Sequence, residues 1–252
     1  MHTLDQLKRD LIKIGICPGD TVLMHSSFKS MGELEGGAGG FFKAFTELLG
    51  KDGTLILPTL SFDYVTRQNP IFDIEKTPSC VGYLSEYFRT NVNGVVRSLH
   101  PTHSCAAYGK LADYIIKDHE LDITPVGPNS PFAKLPKLGG KILMLGCSTN
   151  SNTSMHGVEE TAEPYYLFNR KEPVEYTLIN GSSITKQIAL RHNFIVNGKH
   201  LEQRYSRIVP LLADNEVSEG YILEAKSTLM SAKAVWEKGR EKLLCDPDYF
   251  IE

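Results

Sequence analysis

The sequence is short of the features that mark several protein classes. Cysteine is scarce and scattered: Cys17, Cys80, Cys105, Cys147 and Cys245 make an odd set of five. No two stand in a C-x-x-C pair, which argues against a zinc knuckle and against a disulfide framework. Neither sign of charge dominates, the formal net charge being −3, so no basic field favours nucleic acid. No apolar run approaches the length of a membrane span, and no basic start precedes an apolar stretch. The expectation is a cytoplasmic protein with neither a membrane nor a nucleic-acid partner. Repeats, low-complexity tracts and linker-like stretches are also missing. A chain of 252 residues could hold two small units, but without a linker the expectation is a single domain over 1–252.

What is present is ordinary for a soluble globular enzyme: 41% hydrophobic and 23% charged residues. Leu4, Leu7, Leu11, Ile12 and Ile14 recur at helical spacing before Gly15. Val22–Met24 reads as a short buried strand. GGAGGFFKAFTELLG runs from a glycine-rich turn into a helix ending at Gly50. GTLILPTLSF reads as a strand that ends at Pro58 or lies on an edge. VGYLSEYFRT (helix), GVVRS and HSCAAYG (strands), KLADYIIKDHEL and SPFAKLPKLGG (helices) and KILMLGC (strand) follow. This alternation predicts an α/β layered fold. EPVEYTLI and SITKQIAL read as an antiparallel pair about Asn180-Gly181. Residues 203–252 read as mainly helical, with an amphipathic run around Trp236. The C-terminal part is thus expected to be an antiparallel and helical addition.

Polar residues cluster after three strands. His25, Ser26, Ser27, Phe28 and Lys29 follow the first. Arg97, Ser98, His100, Thr102, His103 and Ser104 follow GVV, and Ser148, Asn150, Asn152, Thr153 and His156 follow KILMLGC. Ligands gather beyond strand C-termini in α/β sheets, although loops are polar in any case. A helix starting near Thr153 puts His156 and Glu159 at i and i+3 on one face. A carboxylate there can fix the imidazole tautomer and support its cation, which suits a general base. The pair could instead only cap a helix surface, or His156 could ligate a metal. The metal reading is weaker, since H-E-x-x-H is missing and no other His or Cys has ligand spacing to His156. Gly36, Gly37, Gly39 and Gly40 match neither common phosphate-loop pattern and fit a tight connection. Cys105 and Cys147, in or at the end of apolar strands, read as buried thiols before nucleophiles.

Several runs together resemble the aminoglycoside N3-acetyltransferase family, also called the antibiotic N-acetyltransferases. They are HSSFKSMGELEGG, LLGKDGTLILP, RSLHPTHS, TPVGPNSPFAKL, GGKILMLG and NTSMHGVEE, in that order over about residues 15–170. The resemblance implies a single α/β unit unrelated to the common GNAT acetyltransferases. It implies transfer of acetyl from acetyl-CoA to an amine, with no metal. His156 would be the catalytic base and Glu159 its partner. His25, Ser26, Ser27, Phe28 and Lys29, with Arg97 and Ser98, would face the coenzyme. Lys29, Arg97 and Lys134 could neutralise its phosphates. Backbone N–H groups near Ser98 or in the 25–29 loop could hold the oxyanion. The coenzyme part would be about 15–160 and the acceptor-shaping part about 160–252.

An aminoglycoside acceptor demands carboxylates, and Asp63, Glu160 and Glu163 are the candidates, with Asp73 and Glu75 in reserve. Against this, Lys171, Lys186, Arg191, His192, Lys199, His200, Arg204 and Arg207 make the following region basic. An anionic amino sugar or similar metabolite is therefore an alternative acceptor. Readings from other classes are a hydrolase using Cys105 or Cys147, and a coenzyme-binding module without turnover. The oligomeric state stays open between monomer and homodimer.

Overall fold

The computed structural model describes residues 1–168 and 172–252; Lys171 lies outside the described residues. The first half reads α1 (Leu4–Ile14), β1 (Thr21–Ser26), α2 (Gly37–Leu49), β2 (Thr54–Pro58), β3 (Ile71–Asp73), α3 (Tyr83–Asn91), β4 (Val96–Arg97), β5 (Cys105–Gly109) and α4 (Ala112–Ile116). The second reads α5 (Pro131–Lys137), β6 (Lys141–Leu145), α6 (Ser154–Ala162), β7 (Val174–Asn180), β8 (Ser183–Ala189), β9 (Ile195–Val196), β10 (Lys199–His200), β11 (Val217–Ile222), β12 (Ala225–Ser231) and α7 (Ala232–Cys245).

A seven-stranded mixed sheet runs in the order β11-β12-β6-β1-β2-β5-β4. Its centre, β6-β1-β2, is parallel, and β12 and β5 flank it antiparallel. The pleat divides each central strand between two cores. Val22, Met24, Leu55, Leu57, Leu143 and Leu145 face the side of α1, α2 and α3. Leu23, Ile56, Ile142 and Met144 face the side of α5, α6 and α7. Helices on both faces explain why these strands are nearly continuous apolar runs. α1 begins with a Thr3/Gln6 capping box and ends on Gly15 at φ 111°, a cap worth about 1 kcal/mol.

The expected layered α/β architecture is observed, with differences in detail. β2 ends at Pro58 as expected, yet it lies inside the sheet between β1 and β5. The antiparallel pair about Asn180-Gly181 is β7 and β8, which joins β3 in a separate three-stranded sheet. The helix expected over KLADYIIKDHEL breaks after Ile116, because Asp118 takes a left-handed φ of 63° before the short 3-10 turn His119–Leu121. The largest correction is at the C-terminus. Residues 203–252 are not mainly helical: β11 and β12 form a hairpin, and β12 pairs with β6, Leu229 opposite Leu143. The C-terminal part thus completes the central sheet.

Topology decides where the loops go. β1, β2 and β6 are parallel, so His25, Thr59 and Cys147 leave the sheet at one edge. β5 is antiparallel to β2 with Cys105 opposite Pro58, which returns residues 98–104 to that edge. Backbone bonds Thr59 N–H to Ser104 O (2.8 Å) and Ser61 N–H to Thr102 O (2.9 Å) fasten them there.

Candidate active site

α6 follows β6 after a loop that contains the short 3-10 turn Thr149–Ser151. It can pack closely because Gly157 carries no Cβ: one built there would overlap the Trp236 ring of α7 and meet Val126. His156 and Glu159 lie one turn apart, as the spacing predicts, but their direct approach is long, His156 Nδ1 to Glu159 Oε2 being 3.4 Å. The shorter route runs through Tyr205. Its hydroxyl lies 2.8 Å from His156 Nδ1 and donates to Glu159 Oε2 at 2.6 Å. A hydroxyl has one proton. Given to the carboxylate, it leaves the oxygen to accept Nδ1–H of His156, so the imidazole lone pair falls on Nε2. Tyr166 donates to the other carboxylate oxygen at 2.9 Å. Glu159 is fully buried, and both of its oxygens are taken. Burial first, and then the Glu159 charge, push the Tyr205 and Tyr166 phenols up, so both remain neutral donors.

His156 opens onto a cavity of about 310 Å³ whose walls include Phe62, His103, Arg191, His192 and Phe194. The His103, His156 and His192 rings stand 4.7–6.0 Å apart by centroid. Burial holds His103 and His192 well below the usual histidine range. His192 Nε2 bonds Glu160 Oε1 at 2.8 Å, and burial raises Glu160 to about 7. Burial disfavours both charges, so this contact is a hydrogen bond more than an ion pair.

A second cavity of about 260 Å³ is lined by His25, Ser26, Pro58, Gly82, Cys147 and, at the α6 N-terminus, Thr153. His25 Nε2 is enclosed without a hydrogen-bond partner, and burial, followed by the nearby His156, pushes this imidazole down to about 3. Ser27 bonds through its N–H to Leu145 O at 2.9 Å. Phe28 packs on Tyr83, and Lys29 is exposed.

Other residues singled out in the sequence are placed elsewhere. Arg97 is 7% exposed. It stacks on Phe72 and donates to the Thr59, Ile74 and Thr77 carbonyls, and burial lowers it to about 9. Ser98 is fully buried between Cys105 N–H and His119 Nδ1, at 2.9 Å each. Both brace the edge and line neither cavity. Lys134 Nζ caps the end of α4 through the Tyr114, Ile115 and Lys117 carbonyls, so it is committed away from any phosphate. Glu160 is turned inward to His192 and Val126 N–H. Asp63 and Glu163 are exposed, Glu163 ending α6 at φ 49°. None of these three carboxylates lines the larger cavity. Burial pushes the Cys147 thiol up to about 11 and Cys105 well above its usual range, which disfavours a cysteine nucleophile.

Sequence reasoning missed Tyr205, Tyr166 and His192 as parts of one cluster. His192 stood only in a row of basic residues, and nothing in local spacing ties Tyr205 to His156.

Known proteins resemble this chain over most of its length. The family model described as aminoglycoside 3-N-acetyltransferase matches residues 23–243. The chain is 31% identical to aminoglycoside N(3)-acetyltransferase IV of Salmonella sp, over 95% of this chain and 88% of that protein. A solved mutant of aminoglycoside acetyltransferase AAC(3)-IVa bound to a gentamicin superposes with a TM-score of 0.82 at 28% identity, covering 98% of this chain and 90% of that one. An AAC-IIIb enzyme in binary complex with CoASH superposes with a TM-score of 0.82 at 27% identity, covering 96% of each chain. The chain therefore belongs to the aminoglycoside 3-N-acetyltransferase family of acyltransferases.

Proposed function

We propose that the protein transfers acetyl from acetyl-CoA to a primary amine of an aminoglycoside or related amino sugar, with His156 as general base. The observation that carries this reading is the chain Glu159–Tyr205–His156. It fixes Nδ1–H and leaves Nε2 as the basic atom on a side chain lining the larger cavity. The acceptor sits there, shaped chiefly by residues beyond about 160, including Arg191, His192 and Phe194. Acetyl-CoA enters from the 15–160 side. His25 and Ser26 line the smaller cavity, and Ser27, Phe28 and Lys29 follow them in the chain. Arg97 and Ser98 act only by bracing that edge. The relatives named for aminoglycoside N(3)-acetyl transfer and for CoASH binding support both halves.

The chemistry follows from the thioester, which is already activated and needs neither a covalent enzyme intermediate nor a Lewis acid. His156 Nε2 removes a proton from the acceptor nitrogen, whose lone pair attacks the acetyl carbonyl. The tetrahedral oxyanion needs hydrogen-bond donors, which the 25–29 loop would supply. Collapse expels the coenzyme thiolate, which regains the proton from His156. Amide and free thiol result. General base assistance of this kind is worth about 10²–10⁴-fold in rate.

One observation favours a second acceptor class. Among the described residues, the larger cavity is lined by the Arg191 cation, with His192 and His200 beside it, and by no carboxylate. Arg191 is held by the Val65 and Phe62 carbonyls. A polycation entering such a site gains no paired charge as it is desolvated, whereas an amine that also bears phosphate or carboxylate does. A thiol-release assay with acetyl-CoA against kanamycin-like and nucleotide-sugar amines separates the two. A kcat/KM of ~10⁴ M⁻¹s⁻¹ or above marks the true class. No thiol release with any amine would reject acetyl transfer itself.

A further inference from the structure

We propose that His103, His156 and His192 form a binding site for a zinc ion, and that its occupancy switches acetyl transfer off by capping the catalytic nitrogen. One ligand atom from each ring lies within 4.8 Å of the others. Tetrahedral zinc with Zn–N of about 2.0–2.1 Å needs nitrogens about 3.3 Å apart and imidazole centroids about 5 Å apart. The centroids stand at 6.0 Å (His103–His156), 5.4 Å (His103–His192) and 4.7 Å (His156–His192). The ring planes cross at 78°, 78° and 47°, so the rings are not stacked on one another. Side-chain adjustments of about 1 Å bring the three nitrogens to ligand distance.

A second observation is independent of that convergence. Each ring already has its other nitrogen held by oxygen: His103 Nδ1 by Thr102 Oγ1 at 2.9 Å, His156 Nδ1 by Tyr205 Oη at 2.8 Å, and His192 Nε2 by Glu160 Oε1 at 2.8 Å. This is the outer hydrogen bonding that orients metal-ligating histidines, with Glu160 and, through Tyr205, Glu159 supplying carboxylates behind two of the three. The nitrogens left without these bonds, and so offered to the ion, are His103 Nε2, His156 Nε2 and His192 Nδ1. Three nitrogen donors select zinc, copper or cobalt over magnesium or calcium. The cavity of about 310 Å³ gives an entry path and room for water at the fourth position. The histidines come from the loop before β5, from α6 and from the segment after β8, which is why no ligand spacing shows in the chain.

The binding half of the proposal stands on geometry alone. The switching half rests on His156 being the base, because an ion on Nε2 takes the lone pair that would accept the acceptor's proton. The test uses metal-stripped full-length protein titrated with Co²⁺. The expected result is one equivalent bound with the intense visible absorption of a four- or five-coordinate nitrogen site, displaced by Zn²⁺. His103→Gln and His192→Gln are each expected to weaken binding at least ~10-fold, with folding checked by circular dichroism. If a variant does not fold, the wild-type spectrum decides: the weak absorption of octahedral aqueous Co²⁺ overturns the site. An unchanged band in both folded variants also overturns it. Zn²⁺ is then expected to abolish thiol release from acetyl-CoA, and EDTA to restore it. A normal Co²⁺ band with acetyl transfer untouched by Zn²⁺ overturns the switch while leaving the site. Full activity in His156→Ala would reject the base assignment without altering the spectroscopic result.

Discussion

Replacing Tyr205 by Phe removes one oxygen from the heart of the proposed machinery and nothing else. Tyr205 is 2% exposed and makes two hydrogen bonds, accepting from His156 Nδ1 at 2.8 Å and donating to Glu159 Oε2 at 2.6 Å. A hydrogen bond to a charged group contributes about 1.5–3 kcal/mol. Some of this is recovered, because Glu159 Oε2 already lies 3.4 Å from His156 Nδ1 and can close on it. The net loss is about 1.4–2.7 kcal/mol in the transition state, where the imidazole is becoming a cation, or about 10- to 100-fold in kcat. Tyr205 does not line the smaller cavity, so KM for acetyl-CoA should hardly move. Thiol release at saturating acceptor gives kcat, and a thermal melt run alongside excludes loss of the folded state. A folded variant with kcat within about 2-fold of wild type would refute the route through Tyr205 and leave only the long direct contact.

Glu159→Gln should lower kcat less than His156→Ala does, because the amide oxygen still accepts one of the two tyrosine protons; a larger loss in steady-state kinetics would make Glu159 the primary base. Gly157→Ala should destabilise by about 1–3 kcal/mol in urea despite its better helix propensity, since the added Cβ overlaps Trp236; a stabilised variant would contradict the close α6–α7 packing. His119 is fully buried beside Ser98, and burial holds it well below its usual range. The unfolded chain takes up a proton below pH 6.5 that the folded one refuses, so stability is lost as pH falls. Urea midpoints at pH 7.5 and 5.5 should therefore converge in His119→Asn relative to wild type, and an identical pH loss in both would refute it. Cys105→Ala should keep kcat for acetyl transfer, and an inactive but folded variant would revive the cysteine hydrolase.

Much of the fold was legible because it rests on local pattern. KILML alternates between two cores in β6, and Leu7, Leu11 and Ile14 recur on one face of α1. The i, i+3 placement of His156 and Glu159 was legible for the same reason. What escaped was set by partners distant in the chain. Ala225–Ser231 has no strong period of its own and becomes a strand because β6 offers it an antiparallel register. Arg97 reads as a coenzyme cation until the Thr59, Ile74 and Thr77 carbonyls, more than one loop away, surround it. Glu160 reads as an acceptor carboxylate until His192, 32 residues on, claims it from inside. Tyr205 lies 49 residues from His156 on a 3-10 helix, and only tertiary packing unites them.

The most direct test of His156 as the base is a paired measurement on wild type and His156→Ala. It takes kcat for acetyl transfer to a saturating amine at neutral pH, and the dissociation constant for CoA by calorimetry. The expected result is a loss of at least ~10²-fold in kcat with CoA affinity little changed. A His156→Ala enzyme that kept near wild-type kcat, or lost CoA binding in step with activity, would contradict it.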